Sequence, residues 1–186
     1  MLKSTVFILA SLLATRAATA DELASSHATR DLPTVAITVS PIHLLIPMAE
    51  VTTEIRVADK VGVAVIAGIG TYHEPDTNMR VSLYEGGVSA RYYVTGSFRS
   101  GLQLGAEVIY IKAATSSTTV DVRAAGLGLS PFAGYKWTHR SGFTLEGQAG
   151  ATFMAARAHG DNGQMTASTK TSAVGPMLNL QVGYSF

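Results

Sequence analysis

From Thr34 to Phe186, apolar and polar positions alternate with a period of two, the spacing of side chains on the two faces of a β-strand. In the second such stretch Val51, Thr53, Ile55 and Val57 share one face, and Glu50, Thr52, Glu54 and Arg56 the other. The same alternation marks 61–70, 84–94, 102–110, 126–137, 143–153 and 174–186. A first strand near 34–45, with Val35, Ile37 and Val39 on its apolar face, brings the expected number to eight. No stretch after residue 20 shows a helical face. Pro41, Pro131 and Pro176 each remove a ladder donor and are expected at bulges or frayed ends.

The linkers alternate in length. Ala58-Asp59-Lys60, the stretch around Gly96-Ser97, and His139–Gly142 read as short turns; 73–81, 113–119 and 157–173 read as long polar loops. Short turns at one end and long loops at the other suit an up-and-down barrel with two unlike rims.

Composition narrows the class. Apolar residues make up 47% and charged ones 15%, against about 25% charged in a typical soluble domain, with 18 glycines and no cysteine. That balance argues against disorder and a polybasic nucleic-acid arm, and the missing cysteine excludes disulfides, thiolate metal sites and a cysteine nucleophile. Residues 1–20 read as a cleaved signal peptide: Lys3, an apolar run Val6–Ala14, then Ala18-Thr19-Ala20 before Asp21. The run is too short for a helical membrane anchor, which needs about 20 residues. Residues 21–33 read as a flexible N-terminal segment, and 34–186 as one barrel domain. Without Lys3 and Arg16, twelve basic residues face thirteen acidic ones, so charge names no partner.

Two barrels share this alternation: a soluble cup with its apolar face inside, and a membrane barrel with that face outside. The polar face is rich in glycine and poor in charge, which suits a crowded interior better than a wetted surface. Its charges, Glu50, Glu54, Arg56, Glu85, Arg91, Glu107, Lys136 and Glu146, are expected to form an interior network in which Arg56, Arg91 and Lys136 reach toward the five acids, leaving at least two acids to water, Tyr93 or a raised pKa. On the apolar face, Tyr92, Tyr135, Trp137 and Phe143 lie toward the short-turn end, and Tyr84, Tyr110 and Phe153 toward the long-loop end. Two aromatic girdles nine or ten residues apart match a tilted membrane strand of about ten residues.

The ending Leu180-Gln181-Val182-Gly183-Tyr184-Ser185-Phe186 resembles the C-terminal strand signal by which bacterial outer-membrane barrels reach their assembly machinery, with Tyr184 and Phe186 as its aromatic positions. The whole of 34–186 resembles the small eight-stranded barrels of the OmpA, OmpX and OmpW kind. The resemblance implies an all-β, eight-stranded antiparallel up-and-down transmembrane β-barrel in the outer membrane. It also implies contact with outer-membrane lipid and lipopolysaccharide; a monomer and no cofactor are expected, with nothing in the sequence fixing the oligomeric state.

The leading expectation is a structural or surface-interaction role without enzymatic activity or nucleic-acid binding, the interior plugged by polar side chains. An eight-stranded barrel is just wide enough for side chains to fill, which argues against an open porin. The alternatives are an OmpW-like carrier of small apolar molecules and a lipid A-modifying enzyme. His139-Arg140-Ser141 resembles the His-x-Ser pair of lipid A deacylase barrels, but falls in an expected short turn while Glu146 points inward. His73-Glu74-x-Asp76 and His159-x-Asp161 could meet around a divalent cation, although solvated loop residues explain them as well. Gly147, Ala149 and Ala151 leave the outer face of the seventh strand flat.

Overall fold

A computed structural model describes residues 33–74, 79–116, 121–161 and 166–186. Residues 1–20, expected to be a signal peptide, and most of 21–33 lie outside the described residues, as does Asp76. The unit Pro33–Phe186 is a closed barrel of eight strands, each antiparallel to its sequence neighbours. They are β1 (Val35–Val39), β2 (Met48–Ala58), β3 (Val61–Glu74), β4 (Met79–Tyr93), β5 (Ser100–Ser116), β6 (Asp121–Thr138), β7 (Phe143–Asp161) and β8 (Thr166–Ser185). β1 closes the ring against β8, from Ala36↔Ser185 to Val39↔Val182.

Two boundaries differ from the sequence pattern. The first strand ends at Val39 rather than near residue 45, because Pro41 interrupts the ladder and His43–Leu45 form one turn of 3₁₀ helix. The long loops are largely strand: β3 runs to Glu74, β5 to Ser116 and β7 to Asp161, and β8 starts at Thr166. Polar β-branched residues such as Thr115, Thr169 and Thr171 suit a hairpin that hydrogen-bonds itself and needs no apolar face. The wall therefore rises from 11 residues in β2 to 20 in β8.

Pro131 and Pro176 both lie inside strands. The β6–β7 register skips Ser130 and Pro131 between Leu129↔Phe153 and Phe132↔Gly150, where the missing N–H breaks the ladder without shifting it. Pro176 pairs with Ala151. A proline holds such a position only as a non-hydrogen-bonded pair, so its nitrogen faces the other edge of β8, where β1 has already ended.

The faces follow the alternation throughout. Val65, Tyr84, Val88, Leu127 and Leu178 are more than half exposed, while Glu54, Arg91, Gln103, Lys136 and Glu146 are buried inside. One registered row circles the ring: Tyr184, Ile37, Thr53, Val65, Val88, Val108, Leu129, Phe153, then Val174 on β8 again. It returns to β8 ten residues from where it left, a shear that tilts the strands by about 40°. Allowing for that climb, Tyr84, Tyr110 and Phe153 reach a common level to within about one residue. Tyr92, Tyr135, Trp137, Phe143 and Tyr184 form a second level roughly eight to ten residues lower, about 20–25 Å along the axis.

Candidate functional site

The interior divides into two layers. The lower one, at the level of Tyr92 and Tyr135, is a closed polar cluster. Arg91 Nη1 donates to Glu54 Oε2 at 3.1 Å and to Glu146 Oε1 at 2.7 Å, joining β2, β4 and β7. Lys136 Nζ on β6 donates to Glu54 Oε2 at 2.8 Å, and the Tyr93 hydroxyl to Glu54 Oε1 at 2.7 Å. Gln103 Nε2 reaches Glu146 Oε1 at 2.8 Å, and Gln148 Nε2 donates to the same oxygen. Two acids and two bases cancel, and none of the four is more than 2% exposed. Such burial costs several kcal/mol per ion unless each charge is paired and hydrogen-bonded, as these are.

Glycine makes room for the cluster. Gly62 on β3 stands opposite Arg56, and a Cβ there would collide with the Glu54 carboxylate. Phe98 closes the bottom. It comes from the turn between β4 and β5, is fully buried, and places its ring centroid 3.7 Å from Lys136 Nζ. Tyr93 packs beside it with centroids 5.9 Å apart.

The upper layer is a cup of about 380 Å³. Glu50, Glu85 and Glu107 line it together with His43, Asn179, Met48, Leu83, Ile109, Ile111 and Met177. Glu50 is held by His43 Nδ1 at 3.2 Å and Asn179 Nδ2 at 3.3 Å, and the Ser40 hydroxyl donates to Asn179 Oδ1 at 2.8 Å. The lining also includes Ile46 and the outward-facing Pro176 and Leu178. The cup thus opens sideways, between the 3₁₀ turn and the stretch of β8 that β1 does not cover.

The expected network is corrected accordingly. Arg91 and Lys136 reach Glu54 and Glu146, whereas Glu50, Glu85 and Glu107 form no ion pair with Lys or Arg among the described residues. Arg56 reaches no acid there either, and its buried Nη1 has no hydrogen-bond partner among them. The reason is the climb of the rows. Glu54, Ala64, Ser89 and Glu107 share one row, yet three strands of climb lift Glu107 nearly four residues above Glu54, beyond reach of the lower bases. Gln103, Gln148 and Phe98 were not among the expected site residues. The first two carried a signal as polar side chains at inward positions of the alternation; Phe98 sits in a turn, where no periodicity points inward.

His139 and Ser141 do meet, Nδ1 to Oγ at 2.9 Å, and the Ser141 N–H also donates to Nδ1 at 3.2 Å. Both are exposed in the β6–β7 turn, with no described carboxylate within salt-bridge distance of the histidine. The pair is therefore a local turn contact with no acid to orient the imidazole. His73 and His159 are exposed on β3 and β7, and the side chains of Glu74, Asp76 and Asp161 lie outside the described residues. No group of three His, Asp or Glu side chains among the described residues is placed to hold a metal ion. The Tyr184 and Phe186 rings pack at a tilt of 55° with centroids 4.9 Å apart beside the barrel seam. Gly147, Ala149 and Ala151 lie on the outer face of β7.

Compared with known proteins, the chain matches no protein-family model, and no curated protein shows significant sequence similarity to it.

Proposed function

We propose that this chain is an integral outer-membrane β-barrel with a structural or surface-interaction role, sealed at its short-turn end by the Glu54–Arg91–Lys136–Glu146 cluster. The observation that carries the reading is the inverted polarity. The outer wall between the aromatic levels is exposed and apolar, while the ionised side chains of the lower layer are buried inside. Water would penalise that wall heavily, whereas lipid suits it and the closed ladder leaves most backbone groups paired. On this reading the signal segment directs export, the assembly machinery reads Tyr184 and Phe186, and the barrel stands as a monomer in lipid and lipopolysaccharide. The tall ends of β5 to β8 then project from the cell as the interacting surface.

The test is gel mobility of the outer-membrane fraction, unboiled against boiled, followed by planar-bilayer recording of the folded protein. The expected outcome is a heat-dependent shift and no ion-conducting steps. A soluble protein without the shift overturns the membrane reading, and steady conductance overturns the seal. A second reading, a carrier of small apolar molecules, is favoured by one observation: the cup reaches the outer wall at Ile46, Pro176 and Leu178, a side entrance from the lipid.

A further inference from the structure

We propose that the outer wall of β5 to β8 carries a binding site for a phosphorylated lipid of the outer leaflet. The phosphate sits on Lys112, Arg123, Arg157 and Lys170, and an acyl chain lies in the apolar groove below them. The proposal rests on the membrane reading and deepens it.

The four cations stand together because of register. Lys112 pairs with Ala125, Ala125 with Arg157, and Arg157 with Lys170, so three of them share one outward row. The next row up brings Arg123 opposite His159. All five side chains are exposed. Corrected for the climb, they lie roughly 3 to 15 Å above the Tyr84–Tyr110–Phe153 level, where the headgroups of a membrane would be.

Like charges directly opposite on a sheet repel, and Arg157 faces Lys170 with no acid in either row to separate them. None of the four reaches a carboxylate among the described residues. The strand tips add Asp121 and Asp161 one row further out, two acids against four permanent cations. An anion placed between the cations removes the repulsion, and the planar Arg fork matches phosphate oxygens.

The surface is shaped for such a ligand. Ala114 and Ala125 floor a groove of about 440 Å³, walled by Tyr84, Lys112, Arg123, Arg157 and His159. Below it and one strand further round, a second groove of about 540 Å³ runs between Val108, Leu127, Leu129, Phe153 and Val174. A groove on β4 to β7 rimmed by cations, above an apolar one on β5 to β8, fits one amphiphile with a phosphorylated head and a hydrocarbon tail. Free phosphate would use only the upper half.

The experiment is native mass spectrometry of the barrel refolded in detergent micelles, with a diphosphorylated glycolipid, the same glycolipid dephosphorylated, or inorganic phosphate. Folding is checked by the heat-dependent mobility shift. Wild type is expected to carry a stoichiometric glycolipid adduct that falls about tenfold on dephosphorylation and at least about tenfold in the triple variant K112Q/R157Q/K170Q. The conservative K112R/K170R variant is expected to keep it. Arg157→Gln alone is measured beside the triple, so a folding defect in the triple leaves a second chance of refutation. An adduct unchanged in folded variants overturns the proposal. Displacement by inorganic phosphate at equal concentration overturns the lipid as occupant. A barrel with the mobility shift but no phosphate-dependent adduct refutes this site alone, whereas absence of the shift refutes the membrane reading and the site with it.

Discussion

The lower and upper layers of the interior are built from the same materials and reach opposite outcomes. Both present inward glutamates from several strands. Below, Glu54 and Glu146 meet Arg91, Lys136, Tyr93 and two glutamines, and every formal charge is answered. Above, Glu50, Glu85 and Glu107 share a cup with His43, Asn179 and apolar side chains. The lesson is that the lower layer holds its buried charges by pairing acids with bases, although Gln103 Oε1, Glu146 Oε2 and Gln148 Oε1 keep no hydrogen-bond partner among the described residues. The upper layer keeps space and three acids that stability alone does not explain.

The sharpest way to break that comparison is to remove the shared base. Arg91 alone among the described side chains bonds both Glu54 and Glu146, so Arg91→Met strands a carboxylate in a buried layer. Breaking a buried pair in this way costs about 3–5 kcal/mol. The expected result is a large fall in the urea midpoint of the barrel in lipid or micelles. A cost no greater than that of neutralising Glu107 would erase the distinction between the layers.

A smaller effect is expected at Gly62. Its Cβ would strike the Glu54 carboxylate, which must then leave the bond from the Tyr93 hydroxyl. The obstacle is the far end of a flexible side chain rather than backbone, so Gly62→Ala should cost about 1–3 kcal/mol. The urea midpoint measures it, and combining the substitution with Tyr93→Phe separates two causes. If the lost hydrogen bond dominates, the two costs overlap; if overpacking dominates, they add.

The faces of the strands were legible because their period is two and one face is nearly pure: every strand from β2 to β8 turns Val, Leu, Tyr or Phe outward, as the alternation requires. The aromatic levels were legible for the same reason. Three things were not. The length of β8 was hidden because Ala167, Thr169 and Thr171 have loop composition but pair with β7 through backbone bonds indifferent to polarity. The end of β1 was hidden because Ile42, Leu44 and Leu45 continue an apolar run that the chain bends into a 3₁₀ turn. The division of the charges was hidden because it depends on the shear, which belongs to the closed ring and to no single strand. Glu107 and Glu54 alternate identically in sequence and share a row, yet the climb separates them into different layers.

The smallest effect tests the upper layer. Glu107 is 7% exposed and shares the cup with Glu50 and Glu85, so Glu107→Gln keeps its shape and removes a repulsive charge. The expected change in stability lies within about 1 kcal/mol and has the stabilising sign, because no salt bridge to Lys or Arg is lost and the carboxylate crowding in the cup is relieved. Urea titration beside the Arg91 variant gives the measurement. A stabilised Glu107→Gln barrel would mean that the cup holds its acids against stability, as sites kept for binding do. A loss as large as that at Arg91 would mean that Glu107 supports the wall after all, and the cup would join the seal below it as structure.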